Sequence, residues 1–513
     1  MQNLARMKLR PWLLPVAIVL FALILRLFNL AELFYFTHDE ETIVWRTMSL
    51  LRDKNLFLLG GVTPLHVHLG PWFYYLSAVI LWFAKLNPLG WGAAGAIVGA
   101  FTTLLIYVLG KKFYSRRVGI IAAALNAVSF LSITYDRHWW PLVLDPLLSV
   151  SALFILTQLA NKKYQLAPIL GVLLALGFHS DPSNWGLLIL SVVVFYKYKL
   201  PLKQKSILAG FAIFLFSFAP LIAFDISNQG ANLKGVNQYF TETKPDQGLS
   251  FGRLQDTLLY IPQSLSRLLV SESTDLSHSY AYCPKYSKTR LDNASAIMVL
   301  TTTAALAFFL LRKSKRKIDW IIKAYLVVLI LGINIYGNFF SSDLFDHYLA
   351  TLFPVFFLVV ATFADKLLKK QQLFTVLVLS LLVLLNLNAV RNTTNSQGYL
   401  DKLAAVGWVS ANLGNKPFAL DSQGECFRYN GIRYLFTLAG HDPDLSFVDP
   451  NFFWLYDKLP QVSYPETLVV FSSVKDNQKN SKIYSQNLIE KKQFGSTQVL
   501  IIDNSSGEFS IEF

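Results

Sequence analysis

The sequence predicts an all-α polytopic membrane protein that ends in a small extracytoplasmic α/β domain. Three observations carry this. Of 513 residues, 53% are hydrophobic, 14% aromatic and only 15% charged, whereas roughly a quarter are charged in soluble domains. The apolar residues gather in charge-free runs of about 15–20, the length that crosses a bilayer as a helix. Lys and Arg sit in short clusters between alternate runs, and after Val390 the chain turns polar. The formal charge of +14 therefore reports membrane orientation by the positive-inside rule, and nucleic acid is not expected as a partner.

Taken in order, Arg6, Lys8 and Arg10 hold the N-terminus in the cytoplasm, and Pro11–Leu30 is the first span. No small-residue cleavage site follows it, so no cleavable signal peptide is expected. The next strongly basic cluster, Lys111, Lys112, Arg116 and Arg117, belongs inside, so only one of the two intervening apolar segments crosses. Pro71–Ala84 is the shorter, is rich in Trp and Tyr, and reads as a helix lying in the outer interface. Gly90–Leu109 crosses. Residues 31–89 then form one long outer loop, with Asp39 at one end and His66, His68 and Tyr74 at the other.

Further spans are expected at 118–134, 142–160, 166–179, 184–196, 206–224, 291–311, 318–338, 348–364 and 373–390, about 11 in all. Their inner loops carry Lys162–Lys163, Lys197–Lys205, Arg312–Lys317 and Lys366–Lys370, while the short outer loops carry almost no cation except Arg137. A second long outer loop covers 225–290. Residues 1–390 thus make a transmembrane domain of a multi-pass plasma-membrane protein. Residues 391–513 make the outer domain, with a helix at Tyr399–Leu413 and strands at Pro417–Leu420, Thr467–Phe471 and Gln498–Ile502.

The chemistry is expected at Phe36-Thr37-His38-Asp39-Glu40-Glu41, where the first span meets water. Ionised groups beside hydrocarbon are costly and tend to be functional, although a helix N-terminus also favours Asp and Glu. The other titratable groups at outer span ends are Asp136, Arg137 and His138; His179 and Asp181; Asp225; and Asp343, Asp346 and His347. This one-sided distribution suits an enzyme at the outer boundary. A transporter places such groups at mid-membrane, where Asp145 is the single candidate. Trp72, Trp82, Trp139 and Trp140 read as interface-belt residues.

The chain resembles a known family in several ordered motifs. They are His38-Asp39-Glu40, His68-Leu69-Gly70-Pro71-Trp72-Phe73-Tyr74-Tyr75, Gly110–Arg117, Leu176-Gly177-Phe178-His179, Pro220–Asn228 and Asp346-His347-Tyr348-Leu349 with Pro354. Together they resemble the GT-C glycosyltransferases of the protein O-mannosyltransferase type, whose bacterial relatives include the aminoarabinose transferases that modify lipid A. Two departures stand out: Gly70 occupies the place of a second proline, and Glu41 that of a small residue.

The resemblance implies a GT-C fold and an inverting transfer of a sugar from a polyprenyl-phosphate carrier to a protein, lipid or glycan acceptor in the cell envelope. A hydroxyl acceptor needs a general base, and a carboxylate at a desolvated boundary has its pKa raised toward a useful value. Asp39 is the expected base, with Glu40 orienting it or the acceptor. The leaving phosphate needs fixed cations or donors; Arg137, whose guanidinium matches phosphate bidentately, is expected there with His138 and His347. His68, Tyr74, Asp136 and His179 are expected to bind substrate. No cofactor is required; a divalent metal is compatible with acids and histidines drawn from separate loops, but no ligand spacing demands one. The rival reading is a transporter or flippase of lipid-linked glycans. Cys283 and Cys426, both expected outside, are compatible with a disulfide.

Overall fold

The computed structural model describes residues 12–63, 68–242, 251–278, 295–339, 344–424, 430–456, 465–474, 487–507 and 511. His66, Asp343, Cys283 and Cys426 lie outside these residues, and with them the expected disulfide.

Five helices open the chain: α1 (Leu13–Leu27), α2 (Leu30–Leu33), α3 (His38–Asp53), α4 (Trp72–Phe83) and α5 (Leu89–Phe113). Asn29, at φ 49°, turns the chain after α1; asparagine enters the left-handed region more readily than most side chains. The 12 residues of α4 reach about 18 Å as a helix, too short to cross a hydrocarbon layer of about 30 Å. Trp82 and Phe83 at its end are 63% and 74% exposed, as a helix lying in the interface requires. α5, with 25 residues, is long enough to cross.

Among the described residues, six helical segments are long and apolar enough to span: Leu89–Phe113, Pro141–Ala160, Lys205–Ser227, Lys317–Asn338, Asp346–Leu368 and Gln372–Asn392. A seventh is broken, Arg116–Val128 and Phe130–Asp136 being bent by 63°. The expectation of about 11 spans otherwise falls on shorter helices, Leu13–Leu27, Tyr164–Phe178, Trp185–Lys197 and Ala296–Leu311. None of these four reaches bilayer length by itself.

The bend has a physical origin and a consequence. At the break, Ser129 donates from Oγ to the Leu268 carbonyl at 2.8 Å. Beyond it the short helix delivers Asp136 to Arg26 of α1, Oδ2 to Nε 2.6 Å, with both residues buried. α5 admits this pair only because it carries glycine: a Cβ on Gly99 would lie 2.1 Å from Asp136 Oδ2 and 2.3 Å from Arg26 Nε. Three helices are thereby locked together just before His138.

The C-terminal domain is a five-stranded mixed sheet of order β2-β1-β3-β5-β4. Its strands are β1 (Ala419–Gln423), β2 (Leu445–Ser446), β3 (Thr467–Ser473), β4 (Leu488–Phe494) and β5 (Thr497–Asp503). β1 runs parallel to β2 and β3, whereas β5 pairs antiparallel with β3 and β4. The helix Tyr399–Leu413 forms as expected. β4 was not legible, because Glu490, Lys491 and Lys492 sit on an exposed edge where charge discourages further pairing. The sheet does not stand alone: Phe34, Phe36, Trp45 and Trp139 share one apolar core with Tyr399, Tyr434 and Val469.

Removing one partner of a buried ion pair strands the other, which typically costs about 3–5 kcal/mol. Asp136→Ala is therefore expected to lower the melting temperature of the purified protein markedly. Thermal unfolding of wild type and variant in the same detergent checks this.

Candidate active site at the start of α3

α3 opens on a capping arrangement. Thr37 donates from its backbone N–H and from Oγ1 to Glu40 Oε2, at 2.9 and 2.8 Å, satisfying a backbone donor that the helix itself leaves unpaired. Glu40 is fully buried. Its other oxygen accepts from the Trp139 N–H at 3.2 Å and lies 2.7 Å from His138 Nδ1. Burial alone would raise this carboxyl, but the charge and contact of His138 and the Thr37 donors hold it below its usual range.

The opposite ring nitrogen, His138 Nε2, faces Asp39 Oδ2 at 3.8 Å. A buried carboxylate, a buried imidazole and a half-exposed carboxylate thus stand in line. Asp39 keeps 51% of its side chain exposed. Desolvation raises its pKa and the Glu40 charge adds to this, while His138 and His38 oppose. A carboxylate raised in this way suits proton abstraction from a hydroxyl at neutral pH.

Aromatic rings wall the imidazole. Tyr35 and Trp140 meet His138 edge-on at 5.2 and 4.2 Å between centroids, and Trp140 meets His347 at 5.0 Å. His347 thus reaches the site through Trp140. The next residue back, Asp346, accepts from Ser264 Oγ and Arg267 Nη1, at 2.9 and 2.6 Å. Trp82 is exposed, whereas the belt reading fails for Trp139 and Trp140, which are 1% and 4% exposed. Trp139 stacks on Phe73 at 5.4 Å and donates to Ser77 Oγ at 2.9 Å.

Arg46 lies seven residues after Asp39, on the same face of α3. Tyr74 stands between their fields: burial raises its hydroxyl pKa, the Arg46 charge lowers it and the Asp39 charge raises it. Phe57 packs against both, 5.8 Å from the Arg46 guanidinium and 5.9 Å from the Tyr74 ring. Arg46 was not among the residues the sequence singled out; its spacing from Asp39 was the available signal.

The remaining expected residues have defined places. His68 lines a cavity of about 350 Å³ with Val62, Thr63, Phe224, Ala231, Asn232 and Gly235. The His68 N–H donates to Asn232 Oδ1 at 2.8 Å. His179 accepts from the Gly70 N–H at Nδ1, 3.1 Å away, with Nε2 3.1 Å from Ser217 Oγ. The imidazole is therefore neutral, with its proton on Nε2. Arg137 is fully buried and donates to the carbonyls of Arg26, Leu25 and Phe28, at 3.0, 2.8 and 2.7 Å. It caps the C-terminal end of α1, and Nη1 is left buried without a hydrogen-bond partner. Asp136 is committed to Arg26, away from any opening. Asp145 accepts from Ser183 Oγ and Asn184 Nδ2, at 2.7 and 2.6 Å.

Glu41 points a third way, into the C-terminal domain, where Oε1 accepts from the Tyr434 N–H at 2.7 Å. Burial pushes its carboxyl up to about 7, against the Tyr434 N–H and the charges of Arg433 and Lys402. Lys402, on the helix Tyr399–Leu413, is buried too; desolvation pushes it down to about 7 against Glu40 and Glu41. Among the described residues no three His, Cys, Asp or Glu side chains gather to hold a metal ion.

No family model matches the chain, and no curated protein does. In overall shape it is similar to the archaeal oligosaccharyltransferase AglB from Archaeoglobus fulgidus, solved in complex with an inhibitory peptide and a dolichol-phosphate. There the identity is 13%, covering 92% of this chain and 70% of that chain, with a TM-score of 0.47. A second structure of the Archaeoglobus fulgidus oligosaccharyltransferase, in complex with Zn and sulfate, is similar at 12% identity, 92% and 69% coverage and a TM-score of 0.48. ArnT from Cupriavidus metallidurans, bound to undecaprenyl phosphate, is similar at 11% identity, 95% and 97% coverage and a TM-score of 0.48.

Glu41 gives a signed pH dependence. Its folded pKa of about 7 lies above the usual 4.5, so the folded state binds the extra proton. Its contribution to stability is full below the unfolded pKa and is lost as pH rises through the folded one. Wild type is expected to lose melting temperature between pH 4.5 and 7 relative to Glu41→Gln, which lacks the titration. Parallel melts of the two proteins across that window check it.

Proposed function

We propose that the protein is an inverting glycosyltransferase that moves a sugar from a polyprenyl-phosphate donor to a hydroxyl acceptor on the outer face of the plasma membrane. The observation that carries this reading is the Asp39–His138–Glu40 line at the boundary between apolar helices and an outer domain. The order of the motifs around it supports the same reading.

Asp39 is the base. The acceptor hydroxyl gives its proton to Asp39 as its oxygen attacks the anomeric carbon. The bond from that carbon to the phosphate oxygen breaks, and the polyprenyl phosphate leaves with the bonding pair. One displacement inverts the centre. Glu40 acts as the orienting carboxylate: it fixes the His138 ring, whose far nitrogen faces Asp39. His138, His347 beyond Trp140, and the unpartnered Nη1 of Arg137 are the proposed phosphate side. Tyr74, His68 and Arg46 are the proposed sugar and acceptor side. Asp136 and His179 act on substrate through what they hold, the bent helix and the backbone at Gly70.

General-base catalysis typically contributes about 10²–10⁴-fold. Asp39→Asn is expected to lose turnover on that scale while still binding undecaprenyl phosphate. Turnover near wild type at saturating donor sinks the assignment. The orientation has its own test. With native cysteines replaced, an impermeant thiol reagent should reach Leu58→Cys and Asn451→Cys from outside cells, and Lys313→Cys only after permeabilisation.

A further inference from the structure

Residues 36–41, which carry Asp39, are gripped from the C-terminal domain by polar and close backbone contacts, beside the ring contacts of Phe36 with Tyr399 and Tyr434 and of His38 with Phe452. Lys402, 3% exposed, donates from Nζ to the Phe36 and Asn430 carbonyls, each at 2.5 Å. Gly431 approaches so closely that a Cβ there would lie 2.5 Å from the Thr37 carbonyl oxygen. The Tyr434 N–H donates to Glu41. Each contact falls on one side or the other of Asp39, and none involves Asp39, Glu40 or His138.

The backbone between these points needs the grip. Phe36 has φ 105°, a conformation that residues with side chains hold only when their surroundings enforce it. Its carbonyl, just ahead of α3, accepts from Lys402 Nζ. A buried ammonium is itself costly, and an apolar side chain would fill the space at less cost. What lysine adds is a pair of donors that tie Phe36 to the chain ahead of Gly431.

We propose that the C-terminal domain is a clamp on the first turn of α3, with Lys402 as the positioning residue that sets Asp39 against His138. Its kinetic consequence rests on the reading of Asp39 as the base; its structural content does not. Phe36 flips its carbonyl away when Lys402 is lost, Thr37 leaves its place over Glu40, and Asp39 moves out of line. The acceptor is then deprotonated less often, while the donor is held as before.

The test uses the full-length protein in lipid nanodiscs. Hydrogen exchange is followed at amides 37–42, with amides 405–413 of the C-terminal domain as the internal control. Lys402→Met is expected to speed exchange at 37–42 by about tenfold or more, as loss of a charge-assisted hydrogen bond predicts, and to leave 405–413 protected. Unchanged exchange at 37–42 overturns the clamp. If Lys402→Met also exposes 405–413, Gly431→Ala decides instead: it keeps Lys402 but drives a methyl against Thr37, and it too must loosen 37–42 selectively.

Turnover is measured with synthetic polyprenyl-phosphate mannose, arabinose and glucose. With any that wild type consumes, Lys402→Met should lower kcat with donor KM unchanged. A raised KM with unchanged kcat shows that Lys402 serves donor binding and overturns the positioning role. Full activity in Asp39→Asn, with selective loosening in Lys402→Met, sinks the base reading and leaves the clamp standing.

Discussion

The buried carboxylate of Glu40 is the point on which the site depends. One oxygen closes the N-terminal turn of α3 through Thr37, and the other meets His138 and the Trp139 N–H. A helix needs its first amides satisfied, a loop after the bent span needs an anchor, and an imidazole needs a partner. One side chain meets all three demands, at the cost of burying a charge. That charge is affordable here because hydroxyl, amide and imidazole surround it on every oxygen. Asp39 is then placed by its neighbour in sequence rather than by contacts of its own.

Burial sets the strength of these interactions. The rings of Tyr35, Trp139, Trp140 and Phe73 exclude water around His138, and charge interactions there are less screened than in bulk water. The exposed half of Asp39 keeps a route for proton exchange. The same logic explains the cationic pair nearby. Arg26 and Arg137 are both buried, yet each is surrounded by carbonyls or by Asp136. They hold the ends of two helices and fix where His138 begins.

Much of the fold was legible because bilayer physics is simple. Charge-free apolar runs and a short aromatic helix follow from composition and spacing. The break at Ser129 was not legible, since nothing in Val128-Ser129-Phe130 announces a bend; it depends on Leu268 accepting a hydrogen bond from far along the chain. For the site, the start of α3 was legible from its acids. The role of Arg137 was not, because an arginine after a span reads alike whether it meets a phosphate or caps a helix. Lys402 was hidden for another reason. In a polar amphipathic helix a lysine looks solvated, and only the docked partner shows that it is buried.

The three successive acids show why a motif is not a site. Neighbours on a helix point about 100° apart; Asp39 and Glu40 still share His138, one at each ring nitrogen, while Glu41 turns away from it. Asp39 keeps half of its side chain exposed, Glu40 is buried against His138, and Glu41 turns to the C-terminal domain. The two departures from the family pattern then have physical reasons in this chain. Glu41 stands where a small residue is usual because its carboxylate receives the Tyr434 N–H, a bond no small apolar side chain makes. Gly70 stands where a proline is usual because its N–H is the donor to His179, and proline has none. A Cβ there would also press to 3.0 Å from the imidazole. Both departures trade a local preference for a contact that fixes a loop. Both contacts lie beside Asp39 or His68, so the substitutions act on how these side chains are held.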